Sequence, residues 1–484
     1  MTTSTEKPRS AGLVIRSAVV AALGGLLFGF DTAVISGTTE NLTEVFALSD
    51  FGLGFTVATA LIGTIIGALF AGRPADRFGR KPVLAVIGVL YFVSAIGSAV
   101  VGNWWLFMFF RFIGGVGVGG ASVVAPIYTS EIAPARSRGR LVGLVQFNVV
   151  LGILLAYLSN WLLASALDGD IAWRWMFGVE AIPALLFFAL VFTVPESPRW
   201  LYTQGRTQDS RTTLARLTRS EEELDREFTE IAEADAKERR SRKVKFFTKG
   251  HSKVIWLAVA IAMFNQLSGI NAILYYAPDI FRMAGAGDDA AFLQSIVVGV
   301  VNLVATMAAL TVIDKIGRRT LMLVGSIGYL ISLGLVTFVF FTSDGEFTGT
   351  SSTLVLGGLV LFIAAHAFGQ GSVIWVFISE IFPNRIRAQG QALGSFTHWF
   401  FAAVTSWTFP GIAAALGGGT AFLVFLVCMI GQLVWVLTVM PETKQIPLED
   451  MADALNLPQD VLDDDEVDSD SGGAADPSIS RRPR

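Results

Sequence analysis

The sequence predicts an all-α membrane protein: twelve transmembrane helices in two six-helix halves, related by a pseudo-twofold axis along the membrane normal. Three observations predict it: long apolar runs, an uneven distribution of charge, and an internal repeat. The 484 residues are 53% hydrophobic and 16% charged, against about 25% charged in a soluble globular chain. Of the charged residues, 24 fall within 196–252 and 16 within 441–484. Too few remain elsewhere to cover a soluble surface. The net charge of −4 gives no polyanion-binding footprint, so no nucleic-acid partner is expected. Cys428 is the sole cysteine, which excludes an intrachain disulfide framework; in its apolar run it reads as a small packed hydrophobe.

A helix needs about 20 mostly apolar residues to cross the hydrocarbon core. Such runs lie near 13–36, 51–71, 83–102, 104–128, 140–164 and 175–194, and then near 254–280, 291–312, 320–341, 353–378, 389–415 and 420–440. Continuous apolar runs exclude the short alternating strands of a membrane β-barrel. Lys and Arg of the short loops concentrate on one side: Arg73, Arg77, Arg80, Lys81, Arg136, Arg138, Arg140, Lys315, Arg318, Arg319, Arg385 and Arg387. That bias places both termini in the cytoplasm of a multi-pass protein of the plasma membrane. The first run follows Lys7, Arg9 and Arg16 but is too long and, with Asp31, Thr32 and Ser36, too polar for a cleaved leader. The predicted order is a cytoplasmic N-terminal segment (1–12), a six-helix bundle (13–195), a cytoplasmic helical linker (196–252), a second six-helix bundle (253–440) and an acidic cytoplasmic tail (441–484). The tail is expected to be disordered from about 460, where Asp463 to Glu466 and Gly, Ser and Pro dominate.

The two bundles repeat one another. Asp76-Arg-Phe-Gly-Arg-Lys81 returns as Asp314-Lys-Ile-Gly-Arg-Arg319, Glu131-Ile-Ala-Pro-Ala-Arg136 as Glu380-Ile-Phe-Pro-Asn-Arg385, and Pro195-Glu196 as Pro441-Glu442. Six spans are an even number, so both halves share one orientation. Paired halves of this kind build alternating-access transporters, with the substrate at their interface.

Gly72 through Lys81, Arg111-Phe-Ile-Gly-Gly-Val-Gly-Val-Gly119, Glu131 with Arg138-Gly139, Pro195-Glu-Ser-Pro-Arg-Trp-Leu201, Gln266-Leu-Ser-Gly-Ile-Asn271 and Pro441-Glu-Thr-Lys444 form a specific motif set. With it the chain resembles the sugar porter family of the major facilitator superfamily over about residues 15–450, nearest in pattern to bacterial proton-linked symporters of xylose and glucose type. Pro74 departs from the family, which usually has an apolar residue there. The resemblance implies a monomeric transporter in the lipid bilayer that moves a monosaccharide and a proton, without a cofactor.

An ionisable residue inside a span is a functional hypothesis by default. Asp31 is read as the one acid deep in the first half, and Arg111 as the intramembrane base able to reach it. Burial disfavours a charged carboxylate and a neighbouring cation favours it, so small movements decide whether Asp31 holds a proton. The alternative is a purely structural ion pair, although such pairs are often no more stable than apolar replacements. In the resembled symporters the matching Asp and Arg form the coupling pair.

A sugar site needs amides for hydroxyls and flat apolar faces for the ring. Gln146, Asn265, Gln266, Asn271 and Asn302 offer the amides, Trp375 and Trp399 the indoles, and Phe28 and Tyr275 are expected to wall the cavity. Each taken singly also reads as interhelical glue, but as a set they match sugar-contacting positions of the resembled family. His398 stands where relatives often place Asn or Gln and reads as a pocket-rim residue; His366 reads as packing. At the cytoplasmic face, Asp76, Arg77, Arg80, Glu131, Arg138, Glu196, Asp314, Arg318, Glu380 and Arg387 are expected to form a latch that pairs when that side is closed. Topology alone explains the bases there but not the acids at matched places in both halves.

The leading expectation is a proton-driven monosaccharide importer. The alternatives are a sugar uniporter on the same fold, discriminated by Asp31, and a non-transporting sugar receptor, for which the short acidic tail is a poor effector. An enzyme is not expected, because His251, His366 and His398 show no metal spacing and no nucleophile–base arrangement is visible.

Overall fold

In the computed structural model, residues 9–134, 137–240, 245–343, 346–383, 385–446, 451–455 and 457 are described, without the side chains of 9–11, 237–240, 314 and 452. Most of the acidic tail and the first eight residues lie outside this set, as does the side chain of Asp314. Within the described residues, twelve helices are long and apolar enough to cross a membrane. They are Gly12–Gly37, Asp50–Phe70, Arg80–Val100, Trp104–Ile132, Arg138–Ala166 and Gly169–Val191, followed by Ser252–Tyr275, Asp288–Ile313, Arg318–Ser343, Gly349–Ile381, Arg387–Leu416 and Gly418–Thr438. We call these the first to twelfth spans.

Local chemistry sets their ends. Ser49 accepts the Gly52 N–H at 3.2 Å and Asn103 the Leu106 N–H at 3.2 Å, so the second and fourth spans begin on side-chain caps. Thr348 and Ser351 form a reciprocal capping box at the start of the tenth. Pro74 sits in the first turn of the short helix Gly72–Phe78, where its missing N–H leaves no intrahelical bond unmade. Inside the spans, hydroxyls such as those of Thr56, Thr64 and Ser295 return to the carbonyl four residues back, so they do not meet hydrocarbon unpaired.

The first six spans pack on one another, and so do the last six. Glycines let the second and fourth spans touch backbone to backbone: a Cβ on Gly115 would lie 1.9 Å from the Ala60 carbonyl oxygen, and one on Gly119 2.1 Å from that of Thr64. In the linker, the helices Pro198–Thr203 and Thr207–Leu217 pack on the first half, and Glu221–Arg240 packs on those two helices. Burial raises the affinity of the linker's Glu227 carboxyl for its proton, helped by Glu223 and Glu230. The beginning of the tail folds back on the second half, where Met451, Leu455 and Leu457 are buried with the tenth-span residues Phe377 and Ile381.

Contact between the halves concentrates away from the linker. The second span meets the eleventh, with Phe51 and Phe55 against Trp407 at 5.1 and 4.9 Å between ring centres. The fifth meets the eighth, where Gly299 lies against Leu154 and Tyr157, and the Tyr157 hydroxyl donates to the Leu274 carbonyl at 2.7 Å. Arg282 of the second half gathers Asp288 at 2.7 Å, Asp279 at 3.0 Å and, across the interface, Glu40 at 3.6 Å.

Three spans are interrupted. The seventh breaks at Ser268 and Gly269, where Gly269 takes φ +87°, a conformation costly for residues with a Cβ. The sixth breaks at Val179 and Glu180, and the tenth at Gly369. Broken helices free backbone and side-chain polar groups in the middle of the bundle. The packing argument predicts that Gly115→Ala, by driving a Cβ into the Ala60 carbonyl, costs about 1–3 kcal/mol and lowers the melting temperature in detergent. Gly411→Ala, with open space around it, should leave the melting temperature within the range of ordinary surface changes.

Candidate functional site

The buried polar centre of the first half is an ion pair. Asp31, in the first span, and Arg111, in the fourth, are each 2% exposed. Arg111 Nη1 donates to Asp31 Oδ1 at 2.6 Å, and Nη2 reaches the Asp31 carbonyl oxygen at 3.3 Å and Oδ2 at 3.4 Å. The guanidinium also lies over the Phe177 ring, 5.2 Å from its centre.

Asp31 is not the only acid there. Glu180, at the break of the sixth span, is 1% exposed, interacts electrostatically with both Asp31 and Arg111, and keeps Oε1 without a hydrogen-bond partner. The reading of Asp31 as the one acid deep in the first half is therefore corrected: a second buried carboxyl group, that of Glu180, acts electrostatically on the Asp31–Arg111 pair. The signal was present, since Glu180 lies inside the apolar run near 175–194. The same rule about intramembrane charge that singled out Asp31 applies to it.

The pair opens onto a small cavity that joins the halves. Asp31, Thr32 and Arg111 form one wall, and Tyr275 and Trp399 of the second half the other. Trp399 also meets Phe28 at 5.7 Å between ring centres. Around it the structure gathers most of the predicted sugar residues. Gln266, 1% exposed, touches Asn265 and His398, and the His398 ring packs on Trp375 at 5.0 Å and Trp399 at 4.8 Å. Asn271 is buried in the short helix Ile270–Tyr275. Asn302 is buried in the eighth span but accepts from Thr306 of its own helix at 3.4 Å. Gln146 is exposed on the fifth span and makes no side-chain hydrogen bond to the others. Trp375 is 40% exposed, with an open face beside the histidine. His366 packs within the second half, its Nδ1 2.6 Å from the Tyr329 hydroxyl.

At the linker face, the sequence repeat becomes a repeated clamp. In the first half, Arg80 holds Glu131 through Nε and Nη2, both at 2.9 Å, and also Asp76 at 3.1 Å and the Ala75 carbonyl. In the second, Arg318 holds Glu380 at 3.2 and 2.8 Å and the Ile313 carbonyl. A second acid caps each helix start. Glu196 accepts the backbone N–H groups of Arg80, Lys81 and Ser197, and Glu442 those of Arg318, Arg319, Thr443 and Lys444. Burial pushes the Glu196 carboxyl up from its ordinary value, and those N–H donors pull it only part of the way back. Gly79 and Gly317, with φ +104° and +101°, precede the capped helices; a Cβ would stand 2.3 and 2.7 Å from the capping carboxylates. Glu442 was missed in the candidate set although the Pro195-Glu196 and Pro441-Glu442 repeat had marked it. These ion pairs join residues of one half, while the contacts between halves lie chiefly at the opposite face. Arg77 lies over the Phe78 ring, and Arg138 donates to the Ser130 carbonyl at 3.1 Å.

A family model described as sugar (and other) transporter matches residues 17–455. The D-xylose-proton symporter of Escherichia coli (strain K12) is 37% identical over 475 residues, 90% of this chain and 94% of that one. The glucose transport protein of Synechocystis sp. is 36% identical, over 89% of this chain and 95% of the other. Among solved structures, the inward open conformation of the Escherichia coli xylose transporter superimposes with a TM-score of 0.81 at 36% identity, covering 91% of this chain and 99% of that one. The same symporter bound to 6-bromo-6-deoxy-D-glucose gives 0.74 at 36% identity, covering 92% and 99%.

The shared arginine has an energetic consequence. Arg111→Leu should destabilise the protein by about 3–5 kcal/mol, because it strands buried acids without their cation. Glu180→Gln, which removes one of the two negative charges with little change of shape, should cost much less. Thermal melting of the two purified variants in one detergent ranks them; an equal loss would refute the idea of one cation serving two acids.

Proposed function

Since the chain belongs to the sugar transporter family, we propose that it imports a monosaccharide together with a proton by alternating access across the plasma membrane, with both termini in the cytoplasm. The observation that supports this most directly is the cavity shared by Asp31, Arg111, Tyr275 and Trp399. A proton-binding carboxylate and aromatic walls suited to a sugar ring line one space, from opposite halves. Sugar and proton are therefore able to influence one movement.

The arrangement of contacts suits an inward-facing state. Aromatic and ionic contacts close the face remote from the linker, and the higher TM-score is with the inward open relative. In this reading Asp31 in its charged form engages Arg111; a proton on Asp31 releases the arginine, and Glu180 stands as the second acid able to receive it. Phe28, Asn265, Gln266, Asn271, Tyr275, Asn302, Trp375 and Trp399 form the sugar site, with Gln146 closing on it only in another state of the cycle. One charge moving through about 100 mV supplies about 2.3 kcal/mol, and a pH step of one unit about 1.4 kcal/mol. Together they support accumulation of roughly 500-fold at one proton per sugar.

The linker-face charges act, in this reading, inside each half first. Arg80 with Glu131 and Arg318 with Glu380 tie helix ends into two rigid units, which then meet as a latch when the cytoplasmic side closes. The side chains of both pairs are only 9–18% exposed, so removing one partner should cost more than the about 0–1 kcal/mol of a solvent-exposed pair. Reversing Glu380 to Lys should loosen the second unit and favour the inward-open population. Thiol labelling of a cysteine placed at the remote face should fall by severalfold; unchanged labelling would leave these charges with topology alone.

Coupling is tested at Asp31. Asp31→Asn should still exchange labelled sugar in counterflow, because the amides and indoles lie mostly in other helices. It should lose proton-driven accumulation, because the carboxylate that binds Arg111 at 2.6 Å then no longer alternates between two protonation states. Both are measured in the same proteoliposomes, with D-xylose and D-glucose as substrates. Undiminished uphill transport would place the proton elsewhere or make this chain a uniporter.

A further inference from the structure

Beyond the end of the seventh span, the short helix Ala277–Met283 sits where the two halves meet at the face remote from the linker. It packs on the turn Ile35–Gly37 of the first half, which leads into the helix Thr39–Phe46. Asp279 of this helix is bonded at one oxygen only. Its Oδ1 accepts from Arg282 Nη1 at 3.0 Å, whereas Oδ2 is enclosed and has no hydrogen-bond partner. Facing it from the first half is Thr39, 2% exposed, whose enclosed hydroxyl acts on the carboxyl without forming a well-aligned hydrogen bond.

The charges around Asp279 come from three elements. Arg282, on the same helix, also binds Asp288 at the start of the eighth span at 2.7 Å, and lies over the Phe292 ring. Glu40 approaches from the first half, 3.6 Å from Arg282. Tyr276 is committed elsewhere, donating to the Ser406 carbonyl at 3.0 Å. The tenth span also packs on this helix, and its residues 349–365 include no acid or base.

Burial is the main influence on Asp279. It raises the carboxyl up to about 6, with Glu40 pushing the same way and Thr39 and Arg282 pulling against them. Arg282 belongs to the same half and accompanies Asp279 when the halves part. The enclosure and Glu40 depend on the first half and are lost on opening. Losing the Thr39 hydroxyl offsets only part of that change, since burial is the largest influence. An acid that is harder to ionise in one state holds its proton preferentially in that state. For Asp279 that state is the closed one.

We propose that Asp279 is a second proton-binding site, separate from the Asp31–Arg111 pair, which takes up a proton as the remote face closes and returns it to the same side as that face opens. The proposal rests on the alternating-access reading above. Because the proton goes back where it came from, it regulates the cycle without being carried. Acid therefore favours closure. Between the ordinary aspartate value of about 4 and about 6, each unit of falling pH raises the closed-to-open ratio by up to about tenfold.

The test reads the distance between the halves at the remote face, in the purified full chain in lipid nanodiscs. Spin labels are placed on Ser165→Cys and Thr350→Cys in a Cys428→Ala background. Both positions are exposed and uncharged, at the end of the fifth span and the start of the tenth. Double electron–electron resonance gives the closed-to-open ratio, which should rise roughly tenfold from pH 8 to pH 5. Asp279→Asn, uncharged at every pH, should hold the ratio flat at the level the unmodified protein reaches in acid. Asp31→Asn should keep the rise.

A rise that survives in Asp279→Asn, or one abolished by Asp31→Asn, would assign the effect to the central pair and overturn the proposal. So would a ratio that falls in acid. Thr39→Val leaves the carboxyl in place and removes a hydroxyl that favours its charged form, so it should move the rise to higher pH. It serves as the independent variant if Asp279→Asn does not fold, and an unmoved rise there counts against the site. A single distance at every pH, with D-xylose or D-glucose present or absent, would remove the alternating-access reading first and this inference with it.

Discussion

One buried arginine, ion-paired with Asp31 and within electrostatic reach of Glu180, is the constraint on which the first half depends. Arg111 is almost fully enclosed, and the cost of leaving such a charge unpaired in an apolar bundle is several kcal/mol. Its partners come from different helices: Asp31 from the first span, and Glu180 from the break in the sixth, which acts on the pair at longer range. The glycine-lined contact between the second and fourth spans holds the helix that bears Arg111 in place. With two buried carboxyl groups acting on one cation, the site carries an excess of negative charge when both are ionised.

The second half supplies no comparable charge at the centre. Among the described residues, the polar groups buried near its centre are neutral amides and hydroxyls: Asn265 and Gln266 beside His398, and a chain from Gln370 through Gln432 to Ser326. Neutral amides tolerate burial when each pole finds a partner, and they match hydroxyls in geometry. The division of labour between a charged half and a neutral half follows from this difference in desolvation. Separating a buried charge from its partner costs more than separating two neutral groups, which favours keeping the charge within one half.

The linker face repeats one solution twice. A glycine at positive φ opens a helix whose first N–H groups are capped by a glutamate from the end of the sixth or twelfth span, and the following arginine grips a second glutamate from the fourth or tenth. The dipole of the capped helix and the bidentate grip of arginine reinforce each other within a few ångströms. Each cluster therefore stiffens its own half, whatever the relative position of the other.

The sequence by itself determined the membrane class, the twelve spans and the repeat, because hydrocarbon demands about 20 apolar residues per crossing and leaves that demand visible along the chain. It also singled out Asp31 and Arg111, since charge within such a run stands out. Tertiary structure alone decided who shares with whom. Glu180 lay in plain view within the sixth run, yet only folding brings that helix break against a pair formed 80 residues apart. Gln146 has the right chemistry but is exposed on the fifth span in this arrangement, apart from the other amides. His398 was readable as a residue near the pocket, whereas its place beside the Gln266 amide and against two tryptophans depends on packing between helices. Hydrophobic periodicity is a one-dimensional property and survives in the sequence; hydrogen-bond polarity is set by distances between helices, which the sequence does not record.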